Sequence, residues 1–183
     1  MEDTGDSRIE VIPFDNRCDY ERMVDYFLNA DEKFLEGMGV DSNKLPEREV
    51  WIESSLRDHE KPGGEKERSY LKWIYDGEIV GHSSINRIKI GEQALIHLHL
   101  WVRDLRAAGL GTKFFWASVV KFIRMYRLKR LYCEPYAMNV APNRVLKKCG
   151  FRFIKKYKTV PGPINFEQEV NQYMFDSSSL GAS

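Results

Sequence analysis

Hydrophobic and polar residues change their period several times along this chain, and each change marks an element. Arg8–Ile12 alternates as a strand. From Asp19 to about Gly37, Tyr20, Val24, Phe27 and Leu28 recur at helical spacing, with Gly37 as the stop. Pro46 opens a second helix, and Glu47 and Glu49 suit the positive end of its dipole. Lys61-Pro62-Gly63-Gly64 reads as a loop. Ser69–Tyr75 and Glu78–Lys89 are strands joined by the hairpin signal Asp76-Gly77, and Gly91-Glu92 turns the chain into a third strand, Ala94–Val102. The period then changes. Leu105–Gly111 is a tight loop and Thr112 to about Tyr126 a helix, with Phe115, Val119, Phe122 and Tyr126 on one side and Lys113, Lys121, Arg124 and Arg127 near another. Arg130–Glu134 is a short strand, Pro142–Lys148 a short helix stopped by Gly150, and Phe151–Thr159 and Gln168–Phe175 are closing strands. Hairpins followed by strand–helix–strand predict an α+β fold, a mixed, mostly antiparallel sheet of about seven strands flanked by about four helices.

Length and composition narrow the class. The 183 residues suit one domain, 1–183, with an ordered core over about 8–175 and a mobile tail at 176–183. Hydrophobic residues at 43% and charged residues at 30% exclude a disordered chain. No apolar run reaches the length of about 18 residues that a spanning helix needs, so no membrane is expected as partner. The acidic start Met1-Glu2-Asp3 does not resemble a targeting segment. Cys18, Cys133 and Cys149 are too few for a disulfide framework or a metal site, so a cytoplasmic location and no metal are expected. Trp51, Trp73 and Trp116 read as core, as do Cys133 and Cys149.

The net charge of +1 conceals an asymmetry. Residues 103–158 hold 15 Lys/Arg against 2 Asp/Glu, a balance of +13, and the other residues are acidic in proportion. A basic region of this kind suits a polyanionic ligand, although a solvated helical face reads the same way. Near-zero net charge and the lack of a recognised binding motif argue against nucleic acid.

The most informative stretch is Arg106-Ala107-Ala108-Gly109-Leu110-Gly111-Thr112, after a predicted strand and at the start of a predicted helix. Glycine lets the backbone turn sharply and approach a ligand closely. The first amides of a helix lack acceptors and sit at the positive end of the dipole, so the turn forms a cradle for a diphosphate. A dinucleotide fingerprint fails because Phe114 stands where its third glycine belongs, and no Gly-Lys-Ser/Thr triplet follows for a Walker loop. About thirty residues later comes Asn139-Val140-Ala141-Pro142-Asn143-Arg144-Val145-Leu146-Lys147-Lys148-Cys149-Gly150-Phe151, a short helix closing in Gly-Phe.

With both elements in order, the chain resembles the GCN5-related N-acetyltransferases (GNAT), over about residues 8–175. Within that family it looks most like the branch with the ribosomal-protein N-terminal acetyltransferases. The resemblance implies a sheet splayed between its fourth and fifth strands, with acetyl-CoA as co-substrate in the gap. It implies that the pantetheine arm lies along the backbone of Leu100 and Val102. The diphosphate would rest on Gly109, Leu110, Gly111 and Thr112, beside Arg106, Ala107 and Ala108, and Asn139 with Asn143 would meet the arm. It implies acetyl transfer to a primary amine by direct attack in a ternary complex.

Such a transfer needs a base, since a lysine-like amine with a pKa of ~10.4 is almost wholly charged at neutral pH. His97 and His99 are candidates, sharing one strand face with Trp101, although a pair of satisfied strand histidines is an equal reading. Tyr136 is a candidate proton donor and equally a packed aromatic. Two departures from the family pattern matter: Leu146 stands where many members carry a tyrosine acid, and Leu95-Ile96-His97 where many carry a glutamate base. A CoA-binding regulatory domain without chemistry is therefore the alternative. The acceptor is expected to enter between the N-terminal helices and the loop Val160–Phe166. The acidic Glu32, Glu36, Glu47, Glu49, Glu53, Glu167 and Glu169 point to a cationic small-molecule amine or a protein N-terminus. A homodimer stays open.

Overall fold

The structure, a computed structural model, describes residues 8–102, 104–106 and 109–181. Seven strands lie in the order β1-β2-β3-β4-β5-β7-β6: β1 Ile9–Pro13, β2 Arg68–Tyr75, β3 Glu78–Lys89, β4 Gln93–Leu100, β5 Arg130–Cys133, β6 Arg152–Thr159 and β7 Gln168–Asp176. All neighbours are antiparallel except β4 and β5. Among the described residues there are five α-helices: α1 Arg17–Leu28, α2 Glu32–Gly37, α3 Arg48–Glu60, α4 Leu110–Tyr126 and α5 Val140–Lys148. No helix among them is long and apolar enough to cross a membrane.

Local chemistry sets most boundaries. Asp76 and Gly77 both take positive φ, the turn that matches the twist of a two-residue hairpin, and so pair Tyr75 with Glu78. The continuous helix expected over 19–37 is instead two. Asn29 closes α1 through its N–H to the Asp25 carbonyl, and the Asp31 carboxylate accepts from the Phe34 N–H at 2.8 Å to start α2. Short polar side chains compete in this way with the helical backbone, and apolar spacing alone does not register it. Residues 177–181 form a 3₁₀ turn where a free tail was expected. The Ser177 N–H reaches the Lys129 carbonyl, and Leu180 packs on the core.

The sheet carries an apolar cluster on each face. On one, α4 and α5 cover Trp73, Ile85, Ile96, Leu131 and Phe175; Trp73 stacks on Phe114 with ring centroids 5.3 Å apart. The predicted stripe of Phe115, Val119, Phe122 and Tyr126 is buried there. Trp116, expected in the core, is exposed, because it falls off that stripe. On the other face, α1 and α3 enclose Phe14, Tyr20, Met23, Phe27, Trp51 and Ile52.

Two features of the sheet prepare the site. Between Asn86↔Leu95 and Lys89↔Gln93, β3 holds one residue more than β4, a bulge at which Arg87 takes φ +49°. A bulge bends the strand and re-aims a side chain. The second feature is the brevity of the β4–β5 ladder, which runs only over Gln93↔Arg130, Ala94↔Leu131 and Leu95↔Tyr132. Beyond it the chain after β5 stays with β7: the Asn171 N–H donates to the Pro135 carbonyl and Tyr136 bridges Val170. The sheet therefore opens between β4 and β5, as expected.

Candidate active site

The start of α4 sits against the end of β4. Gly109 caps the helix in the left-handed conformation (φ +72°), which an L side chain adopts only under strain, and among the described residues nothing stands within 4 Å of where its Cβ would be. Buried Leu110 anchors the turn in the core. At Gly111 a Cβ would stand 3.6 Å from the Leu100 side chain, so helix start and strand end are direct neighbours. The first turn holds no acidic residue, and its leading amides have no acceptor within the helix. These are the properties of an anion cradle. Thr112 closes the turn through its N–H to Gly109, and its carbonyl lies 3.7 Å from the Cys149 sulfur, which ties α5 to the same spot. Val102 is exposed. The backbone of Arg106 belongs to a 3₁₀ turn, Asp104–Arg106, while its side chain, Ala107 and Ala108 lie outside the described residues.

Across the opening, Asn139 caps α5 without a side-chain capping bond. Asn143 has a different task. Its amide donates to the carbonyls of Tyr136 and Asn139, and its oxygen accepts from Asn171. Asn143 thus fastens the loop that presents Asn139. Tyr136 lies in that loop with its ring edge against Phe166. Leu146, at the family's tyrosine position, is fully buried in the core.

His97, His99 and Trp101 share the face opposite α4, as alternation predicts, but they have company that the sequence did not announce. His82 on β3 pairs directly with His99, their rings stacked at 4.8 Å, and the Trp101 indole N–H donates to His82 Nδ1 at 3.0 Å. Tyr26 and Phe27 of α1 press edge-on against His99. Burial, with Arg68 and Arg87 nearby, pushes His97 down to about 4; burial pushes His99 down to about 3 and His82 well below its ordinary value. These imidazoles are neutral at neutral pH and weakly basic there. Nε2 of His97 and Nδ1 of His99 are buried and meet no hydrogen-bond partner among the described residues. Beside Trp101 runs a groove of about 460 Å³, walled by Arg22, Asp25, Tyr26, Asn29, Phe34 and Ile79 among others.

The acceptor side is less open and less bare than expected. The β6–β7 loop is docked on the α2 side: the Asp41 N–H donates to the Ile164 carbonyl, and the Asn165 amide to the Gly39 carbonyl. Of the acids expected to attract a cation, Glu49 and Glu53 bind Arg17, Glu167 binds Lys158 and Glu169 binds Lys156. Asp25, in the groove wall, is held by Arg48. Cys133 and Cys149 are buried; burial pushes the Cys149 thiol up to about 12 and Cys133 higher still, so neither is a reactive thiol.

The splayed mixed sheet and the glycine-capped helix beside its opening are the frame of an acetyltransferase domain. The model of the GNAT acetyltransferase domain matches residues 8–152, and this chain belongs to that family of acetyl-CoA-dependent N-acetyltransferases. Among solved structures, it is similar to RimL, the ribosomal L7/L12 alpha-N-protein acetyltransferase in complex with coenzyme A, at 16% identity and a TM-score of 0.74 over 93% of this chain and 95% of that one. It is similar to the spermidine N-acetyltransferase from Vibrio cholerae in complex with CoA and spermine, at 12% identity and a TM-score of 0.75 over 94% and 98%. The microcin C7 self immunity acetyltransferase MccE, in complex with acetyl-CoA and AMP, matches at 16% and 0.72 over 93% of each chain. No curated protein matches this chain.

Proposed function

We propose that the chain moves an acetyl group from acetyl-CoA to a primary amine by direct attack within one ternary complex, and that the amine is a protein N-terminus. The observation that carries the transfer is the opening between β4 and β5 directly beside the left-handed Gly109 and the start of α4. In this reading the diphosphate lies on the amides of Gly109, Leu110, Gly111 and Thr112, with Arg106, Ala107 and Ala108 on the approach. The pantetheine arm runs along β4 toward Leu100 and Val102 and reaches Asn139 on the far bank. The arm is a pseudo-peptide and can add to a strand much as a peptide does. A main-chain N–H at the end of β4 faces the charge that develops on the thioester oxygen.

Two observations separate the acceptor classes. A polyamine site wants bare carboxylates, and here Glu49, Glu53, Glu167, Glu169 and Asp25 are neutralised by the chain's own cations. The groove beside Trp101 is instead walled by rings and by both signs of charge, which suits a peptide end with one amine. The structural neighbours include both kinds, RimL, named for an alpha-N-protein activity, and a spermidine N-acetyltransferase, so the groove and the paired carboxylates carry the choice. The test is thiol release from acetyl-CoA over a panel of N-terminal peptides and polyamines. Peptides are expected to lead in kcat/KM; polyamines ahead of every peptide would transfer the reading to a small cationic amine. Binding of acetyl-CoA without thiol release from any amine would favour a regulatory domain.

A further inference from the structure

The acetyl transfer needs a base, and at the mouth of the opening stands a carboxylate that neither the cradle nor the core requires. Glu134 follows β5 at the point where the sheet opens. Its parity is fixed by its neighbours: Leu131 and Cys133 point into the cluster under α4, so Tyr132 and Glu134 face the other side, as His97 and His99 do. The last rung of the ladder is Leu95↔Tyr132. The next same-face positions are therefore His97 on one bank and Glu134 on the other, at the mouth of the opening and on the acceptor side.

The side chain is 6% exposed, which is unusual for a glutamate. One oxygen is held from two sides: Oε1 accepts from the Tyr157 hydroxyl at 2.7 Å and from the Gln172 amide at 2.6 Å. The other, Oε2, has a looser neighbour, the Arg87 guanidinium at 3.9 Å. Arg87 is the bulge residue with positive φ. Its guanidinium also donates to the Pro161 carbonyl, so the strained position sends it across to the β6–β7 loop and toward Glu134. A carboxylate oriented through one oxygen while the second retains acceptor capacity is the arrangement a positioned base needs.

We infer that Glu134 is the catalytic carboxylate of the acetyl transfer, seating the acceptor's ammonium on Oε2 and taking a proton from it. This rests on the transfer reading given above. The ammonium gives one proton to Glu134 and becomes a neutral amine. Its nitrogen forms the C–N bond to the acetyl carbonyl carbon while the C–S bond breaks. The nitrogen's surplus proton goes to the departing thiolate, and Glu134 returns its own to water. The products are the amide, free thiol and one proton, and no oxidant, reductant or metal is consumed.

The test compares wild type with Glu134→Gln, whose amide oxygen still accepts from Tyr157 and Gln172. Acetyl-CoA affinity by calorimetry and the melting temperature are expected to stay unchanged, while kcat with the best amine of the panel falls about 100-fold or more. A folded Glu134→Gln variant that keeps kcat within about three-fold overturns the assignment. Should that variant not fold, the wild-type protein decides. In the presence of CoA, a water-soluble carbodiimide is expected to couple the acceptor amine to Glu134, read by peptide mass mapping, and amine adducts on other carboxylates with none on Glu134 overturn it. A wild type that neither binds acetyl-CoA nor releases thiol with any amine overturns the transfer reading itself, and Glu134 with it.

Discussion

Burial holds three imidazoles on β3 and β4 in their neutral form, and that has consequences for stability. His97 and His99 are held near 4 and 3, and His82 is low as well, because burial disfavours their charged forms. An unfolded chain binds protons on these rings from about pH 6.5 downward, while the folded chain does not until far lower. Their contribution to stability is therefore complete above about pH 6.5 and is lost progressively as pH falls toward 3. Each ring adds a slope of up to about 1.4 kcal/mol per pH unit in that window. Urea unfolding of wild type and of His99→Phe across pH 4–7 checks it: the variant's curve is expected to be shallower, and parallel curves would refute the claim. Gly111→Glu belongs to the same scale. It puts a carboxylate and its bulk beside Leu100 in the cradle, so acetyl-CoA binding is expected to vanish in calorimetry while the circular dichroism spectrum is kept.

Among the elements, the junction of β1, α1 and β2 depends on one buried cation. Lys72 is 8% exposed in its side chain and Asp19 is 2% exposed; their ion pair measures 2.9 Å, and the more open Asp15 joins at 2.9 Å. Lys72→Met leaves the Asp19 charge buried and uncompensated, a loss of about 3–5 kcal/mol, which denaturant unfolding would read. Lys72→Met with Asp19→Leu is expected to recover most of it. Elements of this kind also show what the chain discloses before it folds. The three-strand meander was legible because Asp76-Gly77 and Gly91 are local signals; the helix expected from Thr112 starts two residues earlier, at Leu110, because the left-handed Gly109 already caps it. The break at Asn29–Asp31 was not, because side-chain capping competes with apolar spacing over only three residues. His82 escaped notice because its meeting with His99 depends on the β3–β4 register, which the bulge at Arg87 shifts. Glu134 escaped because its partners Arg87, Tyr157 and Gln172 come from three other strands; no local spacing brings them together.

At the scale of the molecule, the charge asymmetry resolves into two different surfaces. Much of the acidic part is internally paired: α1 and α3 are cross-linked by Arg17 to Glu49 and Glu53 and by Arg48 to Asp25, and the β6–β7 hairpin by Lys156 to Glu169 and Lys158 to Glu167. The basic part includes exposed Lys113 in the first turns of α4 and exposed Arg144, Lys147 and Lys148 along α5, the two helices that flank the cradle. Their field adds to that of the helix start and falls off within about 8 Å at physiological salt, whereas hydrogen bonds to the cradle's amides are screened far less. The affinity for acetyl-CoA is therefore expected to weaken several-fold between about 50 and 500 mM salt without vanishing. Affinity for dephosphorylated pantetheine thioester should hardly change over that range. A salt response that is equal for the two donors would mean that the basic helices serve solvation rather than the co-substrate's phosphates.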